Sequence, residues 1–165
     1  MNKGIPIAQP KFSFTTAFDG IADRLVNSVG AAPSFTPSGA IATNQTPKNV
    51  YQALWDTGAT CSCISQKVAD ELDLPVIANH SIRGVTGEAV KNVHVVDLFL
   101  PSNLLLKNVM VICADIIDCD ILIGMNIIAI GDFVVSNFNG RTLFTFRYPS
   151  MHGYDFVKND YVPSV

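Results

Sequence analysis

The sequence predicts an all-β domain, a small closed barrel with one or two short helices. Two patterns support this prediction: the apolar runs are short and separated by glycine-containing turns, and only two short stretches have helical spacing. Length agrees, since 165 residues suffice for one ordinary domain or a small domain with a tail. Hydrophobic residues make up 48% of the chain and charged residues 15%, which excludes intrinsic disorder.

The chain is apolar for a soluble monomer of this size, with a mean hydropathy of +0.31. A membrane-spanning helix needs about 18 apolar residues, and the uncharged stretch Ile121–Gly131 is shorter than that. Pro6 and Pro10 interrupt the N-terminal segment, and no apolar run typical of a secretory signal follows Lys3. We therefore expect no membrane association and, instead, a buried subunit interface.

Charge and cysteine content narrow the expected partners. The net charge is −3, from 11 Lys and Arg against 14 Asp and Glu, and the sequence has no cationic block. Nucleic-acid binding needs clustered Lys and Arg, so we expect no nucleic-acid partner. The four cysteines, Cys61, Cys63, Cys113 and Cys119, do not form a dense disulfide framework. Without a secretory signal, the expected state is reduced thiols in the cytoplasm.

Residues 1–49 are predicted to form an arm or linker ahead of the main domain. Phe12–Thr16 alternates as a strand does, and Asp19-Gly20 is typical of a turn. Gly30–Asn49 is rich in Pro, Ser, Thr, Gly and Ala, which predicts a loop or an extended linker. Two arrangements stay open for this arm: a β-hairpin that joins the barrel, and a loosely attached segment.

The main domain is predicted over residues 50–150. Its elements in chain order are a strand Val50–Trp55, an extended segment Cys61–Ser65, a helix Gln66–Leu74, strands Lys91–Leu100, Leu105–Ala114 and Ile121–Ile123, and a short helix Met125–Ile130. Ser65 can cap the first helix, whose apolar residues share one face. Pro75 is expected to end that helix.

Two hairpins are predicted from glycine-containing turns. Ser81–Arg83 and Glu88–Val90 flank the sequence GVTG, a glycine-bearing hairpin tip. Phe133–Phe138 and Thr142–Phe146 flank Asn139-Gly140. That pair suits a type I′ turn, because both residues tolerate positive φ.

Asp56-Thr57-Gly58 is the motif with the clearest chemical potential. Asp56 follows an apolar strand, where a carboxylate is costly unless it is paired or hydrogen-bonded. A solvated turn is the simpler explanation, but Leu54-Trp55 before the motif and Ala59-Thr60 after it make the surroundings apolar. Gly58 lets a peptide backbone approach closely, the Thr57 hydroxyl can bond a neighbouring backbone, and Asp56 supplies an acid or base.

With this motif the chain resembles the retropepsin-like aspartic proteases, the family of retroviral proteases and their bacterial relatives. ALWDTGAT (53–60) resembles the family's catalytic loop, and IRGVTGE (82–88) falls where the family has its flap hairpin. ILIGMNII (121–128) is similar to the glycine and short helix that support that loop, and GDFVVSNFNGRTLFTF (131–146) resembles the closing strands of bacterial members. The resemblance covers roughly residues 50–148 and leaves the N-terminal arm and the tail 151–165 without a counterpart.

The resemblance implies an aspartic endopeptidase, a peptide hydrolase that acts as a homodimer on peptide or protein substrates. Because the chain has a single Asp-Thr-Gly, Asp56 would meet its copy at a two-fold axis and share one proton with it. Thr57 would grip the partner loop, and Gly58 would complete the loop's support. The implied substrate contacts come from Ala59, Gly84, Val85, Thr86 and Gly87, the last four closing over an extended peptide. No metal or other cofactor is implied.

Two departures and two alternatives accompany this interpretation. Asn126 stands where bacterial members often carry an acidic residue, which bears on the supporting helix. Chain termini interleave in retroviral members, so Thr142–Tyr148 is the predicted interface strand. The main alternative is a weak or inactive dimerisation or peptide-binding module with the same fold. The second is a cysteine-based metal or redox module, but Cys61 and Cys63 lack the spacing of a zinc knuckle, which favours buried reduced thiols.

Overall fold

The computed structural model describes residues 12–34, 47, 49–84, 87–157 and 160–163. Its elements, numbered in chain order, are β1 (Phe12–Ala17), β2 (Val26–Pro33), β3 (Asn49–Trp55), β4 (Cys63–Ile64), α1 (Gln66–Glu71), β5 (Ala78–Gly84), β6 (Gly87–Leu100), β7 (Leu104–Cys113), β8 (Ile121–Ile123), α2 (Met125–Ile128), β9 (Asp132–Phe138), β10 (Arg141–Tyr148), β11 (His152–Asp155) and β12 (Asp160–Pro163). A 3₁₀ turn, Pro101–Asn103, joins β6 to β7.

Six strands close a barrel in the order β2-β3-β8-β4-β7-β6, and β6 pairs back onto β2. Small and branched apolar side chains fill the interior, and the fully buried ones include Val29, Ala53, Ile64, Val96, Leu98, Val111, Ile121 and Ile123. Among the described strands β5 pairs with β6 alone, as a hairpin at the side of the barrel. The predicted all-β barrel with two short helices is therefore confirmed, whereas its homodimeric state stays a prediction.

The short strand β8 connects both sides of the segment that carries Asp56. It lies parallel to β3, with Trp55 opposite Ile123, and antiparallel to β4, with Cys63 opposite Leu122. The loop between β3 and β4 thus begins and ends on strands that flank β8. α2 starts directly after β8, so its first turn lies next to that loop.

A second, three-stranded sheet, β1-β10-β9, packs behind the end of β3. Phe14, Phe133, Phe144 and Phe146 surround the Trp55 ring, with centroid separations of 6.1, 5.9, 5.0 and 4.9 Å respectively. Phe144 and Phe146 are fully buried. The aromatic cluster therefore fixes Trp55, the residue immediately before Asp56.

Helix α1 begins where predicted and ends earlier. Ser65 Oγ accepts a hydrogen bond from the Val68 N–H at 3.4 Å, which confirms the predicted N-cap. The helix ends at Glu71 and not at Leu74, because Asp73 adopts a φ of 49° that breaks the helical backbone. In the described ranges no helix has both the length and the apolar character that a membrane crossing requires.

Both predicted hairpins are present. In the β5–β6 hairpin, Gly84 lies opposite Gly87, and residues 85–86 between them fall outside the described residues. In the β9–β10 hairpin, Asn139 and Gly140 have φ of 51° and 71°, the positive values that a type I′ turn needs. The predicted turn chemistry at Asn139-Gly140 is confirmed.

The predicted loop Gly30–Asn49 is wrong at its start, because β2 continues to Pro33. Pairing with β3 on one side and β6 on the other overrides the low strand propensity of Gly, Ala and Pro. Small residues are needed there, since a Cβ added at Gly30 would lie 2.3 Å from the Pro47 Cβ. Residues 35–46 and 48 lie outside the described residues. β1 and β2 do not pair with each other: β1 pairs with β10 and β2 with the barrel strands.

Strand β10 has both of its backbone edges occupied within the chain, by β1 and by β9. The prediction that Thr142–Tyr148 interleaves with a second subunit is therefore wrong as a backbone pairing. Within the predicted tail 151–165, β11 and β12 form an antiparallel hairpin.

A buried carboxylate ties the start of this hairpin to the second sheet. Asp132, on β9, is 8% exposed and accepts hydrogen bonds from Ser150 Oγ at 2.5 Å and from the Met151 N–H at 3.0 Å. Arg147 Nε donates to the same carboxylate at 2.7 Å and pairs with it electrostatically. Burial opposes ionisation of Asp132, but the hydrogen bonds from Ser150 and Arg147 outweigh it and lower the pKa.

Candidate active site

Asp56 lies at the surface end of β3, in a tight turn. Its N–H donates to the Ile123 carbonyl of β8 at 2.9 Å, which fixes the backbone as the chain leaves the barrel. Its carboxylate oxygen Oδ1 accepts the Gly58 N–H at 2.8 Å, and its carbonyl accepts the Ala59 N–H at 3.3 Å. The carboxylate is thus oriented by the loop's own backbone, while Asp56 stays partly exposed.

The first turn of α2 holds the other half of this loop. The Met125 N–H donates to the Ala59 carbonyl at 2.8 Å, and the Asn126 N–H donates to the Thr60 carbonyl at 3.2 Å. Gly124 makes this approach possible, because an added Cβ would lie 2.7 Å from the Cys61 carbonyl group and 2.8 Å from the Ala59 oxygen. A side chain of any size at position 124 would push the loop away from its support.

Ser62 is a support of the loop that the sequence prediction missed, and its partner is Asn126, which the sequence analysis had connected only with the supporting helix. Ser62 is fully buried. The Ser62 N–H and the Ser62 hydroxyl both donate hydrogen bonds to Asn126 Oδ1, each at 2.8 Å. The Ser62 hydroxyl in turn accepts the Gly124 N–H at 3.0 Å. In the sequence, Ser62 is a polar residue between two cysteines, a pattern that does not predict burial. The approach of α2 is what buries it.

Behind the loop, a polar contact fixes the Trp55 ring. Trp55 Nε1 donates to Asn27 Oδ1 at 3.0 Å, and the Asn27 amide donates to Thr16 Oγ1 at 2.7 Å. Asn27 belongs to β2 and Thr16 to β1, so the segment predicted as an arm contributes directly to the position of the residue before Asp56.

The rest of the predicted site lies partly inside the described residues. Thr57 and Gly58 are exposed at the turn, and no described residue makes a hydrogen bond with the Thr57 hydroxyl. Gly84 and Gly87 end the paired strands of the β5–β6 hairpin, whereas Val85 and Thr86 lie outside the described residues. Ala59 is partly buried next to that hairpin, in the cavity described below.

A cavity of about 370 Å³ lies between the loop and the β5–β6 hairpin. Its lining is mainly apolar and comprises Ala59, Thr60, Cys61, Cys63, His80, Ser81 and Ile112. A larger groove of about 540 Å³ runs between β7 and α2, but its lining includes none of residues 56–59. The smaller cavity therefore belongs to the Asp56 loop, since its lining combines loop residues with residues of the β5–β6 hairpin.

The electrostatic environment of Cys63 reflects its place beside this loop. Burial is the main reason that the pKa of its thiol is raised, and the nearby Cys61, Cys113 and Asp56 groups raise it further. Cys63 is therefore a neutral thiol at neutral pH. Within the described residues no cluster of three or more His, Cys, Asp or Glu side chains has the arrangement of a metal site.

Comparison with known proteins gives a family match and a structural match. A family model described as aspartyl protease matches residues 41–127, more than half of the chain. The crystal structure of a retropepsin-like aspartic protease from Rickettsia conorii superposes with a TM-score of 0.51 and 10% sequence identity, and the alignment covers 84% of this chain and 95% of that one. No curated protein matches the sequence.

Proposed function

Because this chain belongs to the aspartyl protease family and has a retropepsin-like fold, we propose that it hydrolyses peptide bonds as a homodimer. The observation that carries the proposal is the Asp56 loop, which β8 and α2 hold with its carboxylate partly exposed. These contacts order a turn around a partly exposed acid, whereas a solvated surface turn would need none of them.

One Asp-Thr-Gly motif per chain supports the homodimer. A single carboxylate cannot be ionised and protonated at the same time, so in this proposal the second Asp56 comes from a second subunit across a two-fold axis. The exposed Thr57 hydroxyl suits this arrangement, because no described residue of its own chain hydrogen-bonds to it. We propose that it bonds to the backbone of the partner's loop and keeps the two carboxylates coplanar.

The proposed mechanism follows from the charges. Two carboxylates about 3 Å apart cannot both ionise cheaply, so the pair holds one proton. The ionised Asp56 takes a proton from a water between the two, and the resulting hydroxide attacks the scissile carbonyl. The protonated Asp56 of the other subunit donates its proton to the carbonyl oxygen. The titration belongs to the pair and not to either copy.

Substrate contacts in this proposal come from both sides of the loop. Ala59 borders the peptide from the barrel side. Gly84, Val85, Thr86 and Gly87 close over it from the hairpin and exclude water from the reacting carbonyl. The sequence supplies glycines where a peptide backbone must come close.

The four cysteines bear on the proposed location. All four are free thiols in the described structure, with no disulfide between them. Proteins of reducing compartments keep their thiols in this state, so we propose that the enzyme works in the cytoplasm.

Cleavage of a diverse peptide mixture from about pH 4 to about pH 7, with and without a statine-type inhibitor, tests the proposal. Asp56→Asn removes the shared proton site while preserving shape, so cleavage should be lost while the dimer persists in sedimentation. Inhibitor-insensitive cleavage that survives in Asp56→Asn would contradict the mechanism. A confirmed dimer that cleaves nothing would favour an inactive peptide-binding module, and a monomer would exclude the shared pair.

A further inference from the structure

The β1-β10-β9 sheet ends in an open backbone edge at β9. Thr142, on β10, donates its N–H to the Gly20 carbonyl at 3.0 Å and accepts the Phe18 N–H at 2.9 Å, so its backbone groups point toward the β1 side. Asn137 of β9 lies opposite Thr142 and therefore points its own N–H and C=O away from β10. Because this direction alternates along a strand, Val135 does the same. Among the described strands, none pairs with that edge of β9.

This open edge is apolar at its centre and borders a groove. Val135 is 41% exposed, whereas Phe144, its register partner on β10, is fully buried. The groove has a volume of about 390 Å³, with β9 on one side and His152, Tyr154 and Phe156 of the β11–β12 hairpin on the other. The apolar face of the sheet is thus covered at β10 and still open at β9. An open strand edge of this kind is a template for pairing with another chain.

The same strand lies directly behind the Asp56 loop. The Phe133 ring of β9 packs on the Trp55 ring with a centroid separation of 5.9 Å, and Trp55 precedes Asp56. A two-fold axis that passes through the edge of β9, perpendicular to the sheet, therefore continues into the layer that holds Trp55. Such an axis also sets β9 antiparallel to its own copy, an orientation in which two strand edges pair.

We propose that two copies of this chain join edge to edge at β9 and form one continuous sheet, three strands from each copy. The inference rests on the proposed function, because the need for a second Asp56 identifies a second copy as the occupant of the open edge. Val135 is the middle residue of β9 (Asp132–Phe138), so the register that sets Val135 opposite its own copy pairs the strand over its full length. The outward backbone groups of the two copies then meet as hydrogen-bonded pairs.

The opposite edge of the same sheet, at β1, provides a matched comparison. The Phe18 N–H points to β10, so by alternation the Ser13 and Thr15 backbone groups point away from it. This edge also has no partner among the described strands. Its side chains are polar, however, and the Thr15 hydroxyl is hydrogen-bonded to that of Thr145 at 2.8 Å. The proposal leaves the β1 edge unpaired.

Cysteine cross-linking of the purified full chain tests the pairing directly. Val135→Cys would set two thiols on strands whose Cα atoms lie about 5.5 Å apart, within the range that a disulfide spans. With oxidised glutathione as the oxidant, we expect Val135→Cys to give a covalent dimer on non-reducing electrophoresis, with the 135–135 linkage found by peptide mapping. Ser13→Cys, on the β1 edge, should give no more covalent dimer than the parent, which carries the four native cysteines.

A pair of proline variants tests the same edge without a cross-link. Val135→Pro and Ser13→Pro each remove an N–H that the sheet of one copy does not use, so both should fold, as circular dichroism checks. Val135→Pro should sediment as a monomer and lose peptide cleavage, because it has no second Asp56. Ser13→Pro should keep the dimer and the cleavage rate of the parent. If Val135→Pro does not fold, the cross-link decides alone.

The readouts separate this inference from the proposed function. A dimer that cross-links at Val135→Cys but cleaves nothing would support the β9 interface and defeat the proposed function. A dimer that cleaves peptides but shows no 135–135 linkage, or that persists in Val135→Pro, would overturn the inference and leave the proposed function intact. Cross-linking of Ser13→Cys in place of Val135→Cys would also overturn the inference. A monomeric parent would overturn both proposals.

Discussion

Residues 56–62 and the aromatic cluster around Trp55 adjoin along the chain, yet different interactions hold them. Trp55 is 5% exposed and touches four phenylalanine rings, so burial of apolar surface fixes it. The loop has backbone hydrogen bonds to Ala59 and Thr60, a serine–asparagine contact, and a glycine that leaves no room for a Cβ.

The aromatic cluster provides stability, whereas the contacts of the loop set the geometry of Asp56. Apolar clusters tolerate some change in shape and lose stability in proportion to the buried surface removed. A loop held by a few directional bonds contributes less to stability, but a small displacement there moves the Asp56 carboxylate. Substitutions in the cluster should therefore act first on unfolding, and substitutions in the support of the loop first on catalysis.

The largest effect on stability is expected from Trp55→Ala, which should lower the free energy of unfolding by about 3–5 kcal/mol. Trp55→Phe keeps most of the apolar contact and loses the bond to Asn27, so its cost should be about 1 kcal/mol. Urea unfolding followed by circular dichroism measures both, since Trp55 is the only tryptophan and its fluorescence is lost. A cost below about 1 kcal/mol for Trp55→Ala would show that the cluster does not dominate stability.

Gly124→Ala should lower the free energy of unfolding less than Trp55→Ala does, and its main effect should be on the cleavage rate. The added Cβ would meet the Cys61 and Ala59 backbone within 2.8 Å, so we expect a loss of about 2–3 kcal/mol. Displacement of the loop should lower the cleavage rate of the folded protein by about a hundredfold. Gly20→Ala is the matched control, because an added Cβ there meets nothing within 4 Å. Equal cleavage rates in the two folded variants would contradict the assigned role of Gly124.

Asn126 offers a milder test of the same support. Asn126→Leu leaves the buried Ser62 N–H and hydroxyl without their acceptor, which should cost about 1–2 kcal/mol. Asn126→Asp keeps an acceptor oxygen at that place and should retain most of the stability and the cleavage rate. Thermal unfolding and peptide cleavage, measured side by side, distinguish the two variants. If Asp and Leu behave alike, the Asn126 oxygen does not position the loop.

Much of the fold could be predicted because local signals agreed with the final structure. The turn at Asn139-Gly140, the cap at Ser65 and the alternation of Phe12–Thr16 each depend on neighbouring residues alone. The family prediction from the Asp-Thr-Gly and Ile-Gly-Met segments is confirmed by the family match and the structural neighbour. The roles of Asp56, Thr57, Gly58 and Ala59 stay predictions.

The parts that sequence reasoning missed depend on contacts between distant segments. The strand at Gly30–Pro33 forms because β3 and β6 supply partners on both edges, which no local propensity indicates. Ser62 looks like a surface residue until α2 brings Asn126 to it. Backbone pairing of Thr142–Tyr148 with a second subunit was wrong for the same reason, since β1 arrives from far along the chain to fill the edge of β10, whereas a place for this strand in a dimer interface stays a prediction.

The smallest effect on stability is expected from Ser150→Ala. Ser150 contacts the β1-β10-β9 sheet at the Asp132 carboxylate of β9. Ser150 donates to the buried Asp132 carboxylate, and its loss should cost about 1 kcal/mol at about pH 6. The folded pKa of Asp132 lies below its ordinary value of 3.8, so its contribution to stability is complete above that value and lost as the pH falls through the folded pKa.

Removal of the Ser150 hydrogen bond raises the folded pKa of Asp132 toward its ordinary value and so reduces this contribution. The deficit of Ser150→Ala relative to the parent should therefore shrink as the pH falls from about 6 to below 3.8 and Asp132 becomes protonated in both proteins. Urea unfolding across this pH range measures the deficit. Ser136→Ala is the control, because Ser136 is exposed on β9, the strand that carries Asp132. A deficit that grows in acid, or that appears equally in Ser136→Ala, would show that the Ser150–Asp132 contact does not stabilise the β1-β10-β9 sheet. The stability of that sheet would then come from its apolar face alone.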